Sequence, residues 1–210
     1  GVASEFTSSS QVDWARGIAS SRDGELGFDY SFETHNGIQG GPYIYFEDSM
    51  PLASVTYDAS SSRWRWRRAN PGEEPTLFTQ SSDQNAPGYV SLDPDQNGVE
   101  QCTCRCLPTT SPRCCCDGRS YGYESWDTTK TGEILTQAAL DFVDAHQGRP
   151  FFLYFASQSA HIPHTPDDQF FGQPVRGVHA SAHLDMVREA DLQVGALIAR
   201  LEALDIFETT

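Results

Sequence analysis

The clearest rhythm of apolar and polar positions lies in the last third of the chain. Ile134, Leu135, Ala138, Phe142 and Val143 recur at helical spacing, with Glu133 ahead of them and Gly148 and Pro150 behind, so the pattern predicts a helix starting near Thr129 or Thr131. A continuous apolar run follows. Phe151, Phe152, Leu153, Tyr154 and Phe155 leave no polar side, which reads as a strand from Phe151 to Ala156 buried on both faces. Pro163 and Pro166 lack the N–H that a sheet interior needs, so the chain must leave the sheet near Ser157. His161 and His164 then fall in a loop at the carboxyl end of that strand. A second helix is predicted from about His183 to Leu204, where Leu184, Val187, Val194, Leu197, Ile198 and Leu201 form one apolar stripe. Asp191 lies seven residues from both Leu184 and Ile198, which puts its carboxylate on the side expected to be buried.

Helix, buried strand, helix is the grammar of an α/β fold with a parallel sheet, and ligands gather at the carboxyl ends of such strands. His161 is therefore the first candidate for chemistry. The earlier chain is less regular. Tyr43 to Phe46 reads as a strand bounded by Gly41-Pro42 and Glu47-Asp48, and residues 61–125 read as an irregular, cysteine-rich insertion. That insertion holds "RWRWRR", a run rich in Pro, Gly, Asp and Asn from Asn70 to Asn97, and six cysteines: Cys102, Cys104, Cys106, Cys114, Cys115 and Cys116. A length of 210 residues favours one domain over two.

Charge narrows the partners. The formal net charge is −15 and Lys130 is the single lysine, so the surface repels nucleic acid phosphates and anionic membranes. No segment reaches the apolar length needed to span a bilayer. The first residue is Gly1 rather than Met, and the chain is expected to be a piece of a longer one. "RWRWRR" reads as a two-faced strand with its arginines in water, against the alternative of a surface for sulfated glycans. The cysteines read as an oxidised loop, which favours a secretory, lysosomal, extracellular or periplasmic setting. His161 and His164 have the spacing of metal ligands, but Pro163 stiffens the chain between them and no further ligand lies at a zinc-like interval, so no metal is assigned to the chain.

Several stretches carry a family resemblance. "WDTTKTGEILTQAALDFVDAH", "RPFFLYFASQSAHIPHTP" and "HLDMVREADLQVGALIARLEALDIFETT" resemble the middle of the sulfatase family, of the arylsulfatase type. "ELGFDYSF" and "GGPYIYFEDSMPL" are similar to earlier stretches of the same family. The resemblance implies a sulfuric ester hydrolase on an alkaline-phosphatase-like sheet sandwiched by helices, of which residues 1–210 form part. It implies a formylglycine nucleophile made from a cysteine, a calcium ion on the ester oxygens, and contact of His161 with the sulfate near the bridging oxygen. An imidazole there stabilises charge on the leaving alcohol or gives it a proton. His164 is expected to assist in binding substrate. Asp191 falls in "EADLQVG", similar to a helix motif of the family, and is expected to accept hydrogen bonds from the loop Ser157 to Pro166 and so support His161.

The departures are as informative. None of the six cysteines sits in a Cys-x-Pro/Ala-x-Arg motif, Lys130 matches neither family lysine, and the paired aspartates and Asp-Asn-Gly segment of the family are absent. Nucleophile and calcium ligands are accordingly expected outside this chain. Two alternatives stand beside the sulfatase: a phosphoryl or phosphonate hydrolase of the same superfold, and a non-enzymatic, cysteine-rich extracellular binding module. The substrate is expected to be a small-molecule or carbohydrate sulfate ester.

Overall fold

The structure is a computed structural model, and it describes residues 27–34, 38, 43–70, 73, 78–81, 119–122, 126–161 and 164–210. The cysteine-rich stretch from Cys102 to Cys116 lies outside the described residues. The chain divides into two compact units, the second containing Thr129–Thr210.

The first unit is built on an antiparallel sheet. Strands β1 (Phe32–Thr34), β2 (Tyr45–Glu47), β3 (Met50–Asp58) and β4 (Arg63–Arg68) lie in that order. Glu47 faces Met50 across a two-residue turn in which Asp48 and Ser49 have φ of 51° and 69°. Two positive φ values in sequence make the turn that matches strand twist, which is why β2 returns directly into β3. Tyr43, Ile44, Tyr45, Phe46, Leu52, Val55 and Trp126 form the core of this unit. "RWRWRR" is strand β4, paired with β3, with Arg65, Arg67 and Arg68 exposed as expected of a two-faced strand. Those guanidiniums are engaged within the unit. Arg65 lies 3.7 Å from Asp58, Arg67 makes a two-pronged pair with Glu73 at 2.8 and 2.6 Å, and Arg68 binds Glu47 at 2.5 Å and Asp48 at 2.6 Å. Strands β5 (Phe78–Ser81) and β6 (Arg119–Gly122) form a separate antiparallel pair.

A 3-10 turn at Thr128–Lys130 runs into α1 (Thr131–His146) of the second unit, close to the expected start. Ile134, Ala138, Ala139 and Val143 are its buried apolar face. Helix α2 (Ala182–Ala203) packs on α1 and is fastened to it by Arg200, whose Nε donates to Asp144 at 2.5 Å. Ser181 caps α2, its hydroxyl accepting from the Leu184 N–H. Between the helices a short hairpin, β7 (Gln169–Phe170) and β8 (Gln173–Pro174), turns at Phe171 and Gly172, both with positive φ.

Three expectations are corrected here. The segment Phe151–Ala156 is not one of the paired strands, and it is not buried on both faces. Phe152 and Tyr154 are 74% and 72% exposed, while Phe151, Leu153 and Phe155 are half-buried and Phe151 meets Phe142 edge-on at 5.8 Å. Burial alternates along the segment, one face covered and the other open. The apolar stripe of α2 also faces the other way: Leu184, Val187, Val194 and Ile198 are exposed, and the buried residues of the helix are Asp185, Met186, Glu189 and Gln193. On the covered side Asp185, Glu189 and Gln193 have hydrogen-bond partners. Among the described residues every strand pairing is antiparallel, in place of the expected parallel sheet; sheet and helices in one chain remain consistent with an α/β fold.

Candidate active site

His161 is exposed at the end of a tight turn in which its N–H donates to the Gln158 carbonyl at 3.3 Å. Ala160, immediately before it, has φ of 71°, a left-handed conformation that costs a residue bearing a Cβ about 1–2 kcal/mol. The turn therefore needs support. His164 lies against His183. Its Nε2 lies 3.1 Å from Nδ1 of His183, the rings meeting edge-on at 4.8 Å, so His164 is tied to the first turn of α2.

Asp191 is not where the stripe placed it. It is exposed on α2, and the buried carboxylate is Glu189, two residues earlier and about 200° around the helix. Glu189 Oε1 accepts from Gln158 Nε2 and Ser159 Oγ, both at 3.0 Å, and from Gln193 Nε2 at 3.3 Å. Its Oε2 accepts from the Asp167 N–H at 3.4 Å. Burial pushes the Glu189 carboxyl up to about 7, against the pull of the donors Ser159, Asp167 N–H and Gln158, while the nearby Asp167 charge pushes the same way as burial.

Helix α1 approaches this carboxylate closely because residue 132 is glycine. A Cβ on Gly132 would crowd Glu189 Oε1, Gln193 Nε2 and Gln158 Nε2, so a side chain there would displace the ends of all three. Just before α1, Lys130 Nζ donates to both oxygens of the buried Asp167 carboxylate, at 2.7 and 2.6 Å. Downstream, the Arg176 guanidinium donates to the Pro166 carbonyl at 3.2 and 2.8 Å and lies 2.9 Å from Asp168. Asp185, also buried, accepts from the N–H groups of Gly177 at 2.7 Å and His179 at 2.8 Å. The residues that shape the His161 loop are thus Lys130, Gly132, Gln158, Asp167, Glu189 and Gln193. Of these the sequence flagged only Lys130, as a lone lysine without a role; a charged residue off the apolar stripe of a helix gives no hint that it is the one buried.

Among the described residues, no group of three or more His, Cys, Asp or Glu could hold a metal ion. The donor set does not fit calcium either: Asp167 is neutralised by Lys130, and Glu189 is surrounded by donors rather than by other oxygen ligands.

Comparison with known proteins gives the context of this loop. A family model described as Sulfatase matches residues 70–210. The chain is 25% identical over 187 residues to the N-acetylgalactosamine-6-O-sulfatase of Bacteroides thetaiotaomicron, covering 88% of this chain and 32% of that protein. It is 40% identical over 88 residues to the N-acetylgalactosamine-6-sulfatase of Mus musculus, covering 39% of this chain and 16% of that protein. With the arylsulfatase A of Bos taurus it shares 40% identity over 65 residues, 31% of this chain and 12% of the other. A solved chain described under metabolism of multiple glycosaminoglycans by Bacteroides thetaiotaomicron matches the fold with a TM-score of 0.52 at 17% identity, over 86% of this chain and 34% of that one. The chain spans about a third of the length of these two bacterial relatives. With the family model matched along two thirds of its residues, the chain belongs to the sulfatase family.

Proposed function

We propose that the protein is a sulfuric ester hydrolase releasing inorganic sulfate from a carbohydrate sulfate ester, and that His161 acts on the leaving group. The observation that carries this is the match of the sulfatase model through the loop on which His161 is held, exposed, at the end of a braced turn. In hydrolysis the S–O bond to the alcohol breaks, oxygen from water ends on sulfur, and the alcohol oxygen must gain a proton. An imidazole N–H at His161 is suited to stabilise that oxygen as charge develops on it and to deliver the proton. His164, held by His183, is assigned a lesser part in binding substrate.

The names of the relatives suggest 6-O-sulfated N-acetylgalactosamine as the first substrate to assay, with an aryl sulfate second. Family resemblance further assigns a formylglycine nucleophile and a calcium ion; the described residues do not build the metal site. The location proposed is the secretory pathway, a lysosome, the extracellular space or a periplasm, consistent with the cysteines. Among the described residues, no helix is long and apolar enough to cross a membrane.

The test is release of sulfate by the full-length protein from N-acetylgalactosamine 6-sulfate and from an aryl sulfate, with a phosphate monoester as comparison. His161→Ala should lower turnover by about a hundredfold or more, the scale for losing a transition-state charge partner. His164→Ala should cost much less. Preferential hydrolysis of the phosphate monoester would favour the phosphoryl-transfer alternative, and equal losses at the two histidines would refute the roles assigned to them.

A further inference from the structure

We propose that Glu189 is the positioning residue of the His161 loop: one of its carboxylate oxygens holds the start of the loop and the other holds the end. Oε1 takes the Gln158 side chain and the Ser159 hydroxyl, and Oε2 takes the Asp167 N–H, so one side chain on α2 grips the segment on both sides of His161. Asp167 is itself fixed from the α1 side by Lys130, which makes the second anchor a rigid one.

Four observations support a positional role over mere filling of space. The position is expensive: a carboxylate only 1% exposed loses its hydration, and an apolar side chain of like volume would avoid that cost. Both neighbouring glutamines turn their amide NH2 groups to this carboxylate and leave their carbonyl oxygens, Gln158 Oε1 and Gln193 Oε1, buried without a hydrogen bond, so the carboxylate sets the orientation of the network. Gly132 leaves the space that Oε1 occupies. Lastly, the clasped residues flank Ala160, whose left-handed backbone persists only if its surroundings impose it. This rests on the reading of His161 as the group that acts on the leaving oxygen, because a misplacement of about 1 Å in such a group costs on the order of a hundredfold in rate.

The experiment compares wild type, Glu189→Met, Glu189→Gln and Ser159→Ala in the full-length protein, by amide hydrogen exchange and by steady-state kinetics on the sulfate ester. Exchange at His161 and Asp167 should speed up roughly tenfold or more in Glu189→Met, as local opening becomes easier, and at one of the two only in Glu189→Gln, which keeps a single acceptor oxygen. Turnover should fall by about a hundredfold in Glu189→Met with KM changed less than threefold, and less far in Glu189→Gln. Should Glu189→Met fail to fold, Ser159→Ala removes one donor from the clasp and should loosen His161 but not Asp167. Unchanged exchange at both amides in the folded Glu189 variants would overturn the proposal, as would a kcat within twofold of wild type in Glu189→Met. If wild type releases no sulfate at all, the proposed activity fails, and the exchange data alone decide whether the clasp exists.

Discussion

Gly132 shows how little room the loop support leaves. Adding one methyl there would crowd Glu189 Oε1, so Gly132→Ala should destabilise the second unit by about 1–3 kcal/mol, overpacking outweighing the better helix propensity of alanine. A lower urea midpoint would register it. Glu189 also makes a prediction about pH. Its carboxyl sits at about 7 in the folded chain against an ordinary 4.5, so the folded state binds the proton more tightly than the unfolded one. That contribution to stability is complete below 4.5 and is lost as pH rises through 7, a change of a few kcal/mol, on the order of what such a shift implies by linkage. The charges bearing on it are Asp167, which opposes ionisation, and Lys130 behind Asp167, which softens that opposition. Urea unfolding between pH 4.5 and 7.5 should show falling stability in wild type and a flatter profile in Glu189→Gln. Asp58 titrates elsewhere: hydrogen bonds from Ser60 and Ser61 hold its carboxyl at about 2, so its effect falls at lower pH and does not blur the comparison.

For whole elements, the sequence specified existence far better than orientation. Helix α1 begins at Thr131 and α2 spans Ala182–Ala203, each within a residue or two of what spacing and caps imply, and the Tyr43–Phe46 strand overlaps β2. Periodicity reports that a helix has an apolar side, but not that this side is the covered one. On α2 Glu189 and Gln193, hydrogen-bonded to the loop, face inward and the stripe of Leu184, Val187, Val194 and Ile198 faces outward. Asp191, read from that stripe, was therefore placed on the wrong side, although the need for a buried carboxylate on this helix was legible. His161 could be put in its loop because prolines end strands; its backbone strain at Ala160 has no signature in sequence. Substitutions should expose the two faces. Met186→Ala, at a side chain 1% exposed, should cost about 2–5 kcal/mol, whereas Val194→Ser, at one 51% exposed, should stay within about 0.5 kcal/mol in thermal unfolding of this chain.

Across the whole molecule, the 210 residues contain the candidate leaving-group histidine and its bracing but no Cys-x-Pro/Ala-x-Arg motif. This chain alone is accordingly expected to show no turnover of a chromogenic aryl sulfate, even with calcium added, and sulfate release above background would contradict that. The overall charge of −15 coexists with a sheet whose exposed arginines pair with neighbouring carboxylates. Arg68 bridges the nearly buried carboxylates of Glu47 and Asp48, and Arg68→Ala should cost about 1–3 kcal/mol, below the value for a fully buried pair because the guanidinium is half exposed. The way Glu189 joins Gln158 and Ser159 to Asp167 amounts to a cross-link without sulfur. A disulfide would persist in the unfolded chain and restrict it, whereas this clasp opens on unfolding, so the cost of closing a loop of about ten residues, roughly 2–3 kcal/mol, falls on folding itself. All six cysteines lie between Cys102 and Cys116, none of them on the His161 loop. The hydrogen bonds through which Glu189 holds the His161 loop therefore contain no sulfur, and a thiol reductant has nothing to cleave in them.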